Sequence, residues 1–134
     1  MRFIVLISVL IFTIYSVNAQ KRKEIKEKGV KTKIVWKYDY KTGKEKKLME
    51  SKKKFDENGN TIEEIVYDEF GKIDTKVKYS YNDDNEIIKE VHYLPSNKIK
   101  KTIEYKYKAG FKTEKIVLDN KGKIKSKKVY QYLK

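Results

Sequence analysis

The 134 residues carry 33 Lys and Arg against 19 Asp and Glu, a net charge of +14, with one histidine and no cysteine. The missing cysteine excludes disulfides, thiol catalysis, thiolate zinc sites and a lipid-anchored N-terminal cysteine. A hydrophobic content of 39% with 11 tyrosines suffices for one modest core, hence for one domain.

Residues 1–19 read MRFIVLISVLIFTIYSVNA, with one positive charge at Arg2, an apolar run from Phe3 to Tyr15 and small side chains before Gln20. This is the pattern of a secretory signal peptide. The run is short of the roughly 20 apolar residues that a spanning helix needs. The expected product is secreted or periplasmic and keeps no transmembrane segment after cleavage; an uncleaved anchor is the other reading. Residues 20–32 form a basic lead segment, either loose or a short helix, and residues 33–134 a single β-repeat domain. Positive charge concentrates at the two ends. Residues 20–54 hold 15 basic and 5 acidic side chains, 55–107 hold 8 and 12, and 108–134 hold 9 and 2. The middle of the chain is thus mildly acidic, which argues against a uniform polyanion-binding surface.

The chain beyond residue 32 repeats itself. Phe55, Tyr67, Tyr81, Tyr93 and Tyr107 are separated alternately by 12 and 14 residues, so the full period is 26. Each stands a few residues before a turn: Asn58-Gly59, Phe70-Gly71, Asp84-Asn85, Ser96-Asn97 and Ala109-Gly110, with Lys121-Gly122 continuing the series. Gly and Asn supply the left-handed backbone of tight hairpin loops. Pro95, the only proline, lies in such a turn. Between turns the pattern alternates with period two: Ile73, Thr75, Val77, Tyr79 and Tyr81 against Lys72, Asp74, Lys76, Lys78 and Ser80. Ile34, Trp36, Tyr38 and Tyr40 do the same earlier, and Ile99, Ile103, Tyr105 and Tyr107 later.

These signals predict an all-β fold. Eight strands near 33–40, 46–55, 61–67, 72–81, 86–93, 98–107, 112–118 and 123–132 form an antiparallel meander of 26-residue repeats, either a curled open sheet or barrel-like. The second strand, KKLMESKKKF, alternates poorly and is also compatible with a helix. Lysines on some strands face Glu63, Glu86 and Glu90 on others, a cross-strand charge pairing that accounts for much of the basic excess. Lysines on the terminal strands would also blunt the sheet edges.

The strings KYSYNDDNEI (78–87) and EYKYKAGFK (104–112), with FDENGN (55–60) and YDEFGK (67–72), resemble the Tyr-Asp repeats of the Rhs or YD-repeat family. The likeness spans about residues 36–132. It implies long, coiling antiparallel sheets on secreted or surface proteins that serve as shells and binding surfaces, with carbohydrate a frequent ligand, and it implies no catalytic residue. The chain departs from that pattern where Asn82 and Lys108 follow the tyrosine and where Asn85 and Asn97 replace glycine.

Site chemistry is sparse. His92 stands alone, on what reads as the polar side of its strand with Glu86 and Glu90, and makes neither a metal site nor a triad by itself. In FDENGNT the residues Asp56, Asn58 and Asn60 alternate as in a calcium loop, but Thr61 and Tyr67 occupy the positions where such a loop needs Gly and a bidentate Glu. Neither metal, cofactor nor catalytic group is therefore expected. The expected binding residues are Trp36, Tyr38, Tyr79, Tyr81, Tyr105 and Tyr107 with Lys78 and Lys106, a Tyr/Lys-rich sheet face suited to a glycan or an anionic envelope polymer. Nucleic acid ranks below these for an exported protein. An inhibitor or immunity-like protein that binds another exported protein is the alternative, and a small envelope hydrolase using Glu86 and Glu90 the third reading.

Overall fold

The computed structural model describes residues 19–134. The expected signal segment lies outside the described residues, apart from Ala19. A short helix, α1 (residues 19–27), opens the described chain. It stops at Gly29, whose φ of 63° lets the Val30 amide donate back to the Ile25 carbonyl at 3.0 Å and so satisfies an otherwise free helix end. The basic lead is thus helical over most of its length.

Eight strands follow: β1 (Thr32–Asp39), β2 (Lys46–Phe55), β3 (Thr61–Tyr67), β4 (Ile73–Tyr81), β5 (Ile87–Tyr93), β6 (Ile99–Lys108), β7 (Phe111–Leu118) and β8 (Ile124–Val129). They form one antiparallel sheet in chain order. The expected strands all appear, and the ambiguous 46–55 segment is a strand. Of the two closures open from sequence, the sheet takes the open one: β1 and β8 end it and do not pair.

Local chemistry fixes the turns. At Asp68 the backbone amide donates to the Lys72 carbonyl (2.8 Å), Gly71 N–H donates back to the Asp68 carbonyl (3.1 Å), and the Asp68 carboxylate accepts from the amides of Phe70 and Lys72, both at 2.9 Å. Asp56, Asn82 and Asp119 repeat the arrangement, with the left-handed residue three places on at Gly59, Asn85 and Gly122. The β6–β7 connection is tighter, with Ala109 and Gly110 both at positive φ.

Every hairpin from β2–β3 onward slips by one residue beside its turn, whereas β1–β2 slips in mid-strand, where Val35 pairs with Ser51 but Trp36 with Met49. Val66 pairs with Thr75 but Tyr67 with Ile73, so Asp74 is extra; Ile62, Ile88, Lys100, Thr113 and Lys125 are skipped in the same way. Such bulges bend a strand and reverse the facing of what lies beyond them. Ile73 and Ile99 therefore leave the faces that simple alternation gives them.

The register sorts the side chains onto two faces, because directly opposed residues share a face. One face, called the tyrosine face, carries the rows Glu64–Val77–His92–Lys101, Tyr79–Glu90–Ile103–Val117 and Tyr105–Lys115–Lys128. The other, the lysine face, carries Lys54–Glu63–Lys78 and Lys52–Ile65–Lys76–Tyr93. Burial is thin, as expected of one layer. Ile65 and Ile116 are buried on the lysine face, Ile103 and Phe55 on the tyrosine face, and the stems of long lysines such as Lys52 and Lys76 beside Ile65 supply cover that a second layer would otherwise give.

The tyrosine hydroxyls tie the repeats together at one end of the sheet. Tyr81 Oη donates to the Thr61 carbonyl, Tyr107 Oη to Ile87 and Tyr132 Oη to Lys112, each 2.7 Å long and each reaching back 20 residues. Phe55 holds the equivalent place one repeat before Tyr81. It lacks a hydroxyl and is instead covered: α1 lies across this end of the tyrosine face, with Ile25 and Phe55 lining one cleft.

Candidate functional site

The eight residues expected to bind do not form one surface. Tyr79, Tyr81, Tyr105 and Tyr107 share the tyrosine face, while Trp36, Tyr38, Lys78 and Lys106 lie on the lysine face. The reason is elementary: Lys78 and Tyr79 are consecutive in a strand, as are Tyr105 and Lys106, and consecutive residues point to opposite sides. Both lysines are already engaged. Lys78 Nζ stands 3.9 Å from Glu63, which also meets Lys54 at 3.4 Å, and Lys106 Nζ stands 3.2 Å from Glu114, which also meets Lys127 at 3.5 Å. Hydrogen bonding and charge from Lys106, with a smaller part from Lys127, hold the Glu114 carboxyl below the usual range. On the same face Lys47 Nζ lies 4.2 Å over the Trp36 ring, and Lys76 lies 5.1 Å over Tyr93. These rings carry cations, as Tyr105 does on the other face.

The tyrosine face is differently equipped. Glu90 stands at its centre, directly opposite Tyr79 on one side and Ile103 on the other. His92 Nε2 approaches a Glu90 oxygen at 3.2 Å, and Lys112 Nζ sits 4.3 Å over the Tyr105 ring. Burial raises the phenol of Tyr79 first, and the charges of Glu64 and Glu90 raise it further. The same order of causes, burial and then nearby negative groups that include Glu90, pushes Tyr81 up to about 12 and Tyr105 up to about 12, and raises Tyr107. One carboxylate thus influences four phenols. Glu90 and His92, read from sequence as the polar side of β5, are in the structure the polar centre of the aromatic surface. The polar side of one strand and the aromatic side of its neighbours fall on the same sheet face. Only the register reveals this.

The acidic turns are used up internally. Asp56 accepts from the amides of Asn58 and Asn60 and from Asn60 Nδ2, which also donates to Asn85 Oδ1 at 2.8 Å and so joins two turns one repeat apart. Among the described residues no group of three or more His, Asp or Glu is placed to hold a metal ion, and no helix is long and apolar enough to cross a membrane.

The raised phenols set a pH expectation. An unfolded tyrosine ionises near pH 10, whereas Tyr81 and Tyr105 keep their protons in the fold up to about 12. The folded state then binds more protons than the unfolded one in that window, so their contribution is intact below about pH 10 and is lost as pH rises through about 12. Alkaline titration should show part of the tyrosinate absorbance rising together with loss of sheet circular dichroism. Titration of every tyrosine near pH 10 with the sheet intact would contradict this.

Compared with protein-family models the chain matches none, and no curated protein matches it.

Proposed function

We propose that the protein is an exported binding module that recognises a glycan or glycan-like envelope polymer on its tyrosine face. The observation that carries this reading is Glu90, set among Tyr79, Tyr105 and His92 on the tyrosine face. Sugars need flat apolar faces to stack on and fixed acceptors and donors for their hydroxyls. Tyrosine rings supply the first, and a carboxylate with an adjacent imidazole supplies the second. Lys112, Lys115 and Lys128, on the same face beside Tyr105, favour a polymer with some acidic groups. The export half of the proposal rests on the composition of residues 1–19.

A hydrolytic reading would need Glu86 and Glu90 as a pair. They are four residues apart on one stretch of chain, roughly 13 Å at strand rise, against the roughly 5–10 Å between paired glycosidase carboxylates. Glu86 is also held in its turn, accepting from Asn82 Nδ2 at 3.1 Å. The geometry favours binding.

Glycan and polyanion arrays probed with the full chain at two salt concentrations test this. Binding should survive added salt and weaken about tenfold or more in Tyr79→Ala, Tyr105→Ala or Glu90→Gln, with Trp36→Ala unaffected. Binding that disappears with salt and ignores these changes would transfer the role to the lysine face. The absence of any polymer ligand would leave the protein-partner alternative.

A further inference from the structure

The outer edge of β8 has the features of an unfilled strand position. All six residues of β8 are exposed, including Ile124 at 59% and Val129 at 63%. Among the described residues no strand pairs beyond it. At the opposite edge, β1 has α1 alongside its first residues, sharing a cleft lined by Ile25, Thr32 and Ile34.

Charge says what would fit. Lys127 and Lys128 are consecutive and project to opposite faces, as Lys53 and Lys54 do on β2. There the sheet itself supplies the partner: Glu64 opposes Lys53 with a 3.5 Å ion pair, and Glu63 opposes Lys54 with one of 3.4 Å. On β8 the pairing is incomplete. Lys127 shares Glu114 with Lys106, and Lys128 stands directly opposite Lys115, a like-charge pair that weakens the ladder. A second copy does not solve this. Another β8 would set lysine against lysine, and a β1 edge would bring Lys33 and Lys37.

We propose that the free edge of β8 receives an extended acidic strand from another protein, with consecutive glutamates opposite Lys127 and Lys128 and an apolar residue opposite Val129. Main-chain hydrogen bonds would supply affinity, and the two lysines would supply selection and register. The lysines that keep copies of this chain from pairing edge to edge would then also choose the partner. The site is the main-chain edge of β8: Lys128 belongs to the tyrosine face as well, but strand addition at the edge does not depend on the glycan reading.

The test uses the full chain and a labelled synthetic peptide with the β3 sequence Asn60–Asp68, NTIEEIVYD, followed by anisotropy and amide hydrogen exchange. Binding should slow exchange at residues 124–129 at least tenfold. It should weaken at least tenfold when both glutamates of the peptide are lysines, and likewise in the Lys128→Glu protein, which keeps its fold because the new carboxylate faces Lys115. A peptide carrying proline in place of its second isoleucine should not bind. No binding, protection confined to β1 or to the β2–β3 pairing, or equal binding of the proline peptide would each overturn the proposal.

Discussion

Replacing Gly59 with alanine is expected to cost about 3 kcal/mol or more of folding stability, whereas the same change at Gly71 should cost about 1 kcal/mol. Both glycines occupy the same place in equivalent turns, with φ of 78° and 77°, so the backbone strain of a side chain is equal. What differs is the neighbour. A Cβ at Gly71 meets nothing within 4 Å, while one at Gly59 collides with the carbonyl oxygen of Arg22 and crowds the amide of Lys26, both backbone atoms of α1. A helix backbone cannot swing aside as a side chain can. The Gly59 variant should therefore lose α1 from the sheet and expose Phe55, which is 7% exposed in the native fold. Chemical denaturation of the two variants, with amide exchange in residues 22–27, checks this; equal losses would mean that α1 does not need its seat.

The second large effect is expected at Ile103. Truncation to alanine removes three carbons from a side chain that is 6% exposed, between Glu90 and Val117 on the tyrosine face. In a two-layer protein such a change adds a cavity cost to the lost transfer energy. Here, among the described residues, no second layer closes over the gap, so the transfer part dominates, about 2–3 kcal/mol. Ile34, 41% exposed on edge strand β1, should lose less than about 1 kcal/mol on the same change. Denaturant midpoints at unchanged slope would show the difference, and matching losses at the two sites would remove Ile103 from the core.

Much of this fold is legible because its signals are local. Asp68, Gly71 and the alternation that follows need no distant partner to be read, and the strand boundaries come within a few residues. The facing of side chains is not local. Asp74 and Lys100 are ordinary polar residues in an alternating run, and nothing in composition marks them as the ones the ladder skips, yet they send Ile73 and Ile99 to the far side. Glu90 and His92 were hidden for a related reason: a residue's neighbours on a sheet come from adjacent strands, and their register depends on every intervening turn. One part was legible in full. Lys78 beside Tyr79 could never have shared a face, since adjacent strand residues diverge. Openness of the sheet was undetermined, because closure depends on accumulated twist and coiling.

Because every strand lies between its predecessor and its successor in the chain, no contact between β1 and β8 must be preserved when the sheet changes length. Its stability is then close to a sum over hairpins and their shared borders, as in other linear arrays. A 26-residue unit can be duplicated or deleted between existing units without rewriting any distant contact. Evolution can thus widen or narrow the tyrosine face in increments of one repeat, and thermal opening should begin at the β8 end, while the α1 end, with its helix seated on Gly59, holds on.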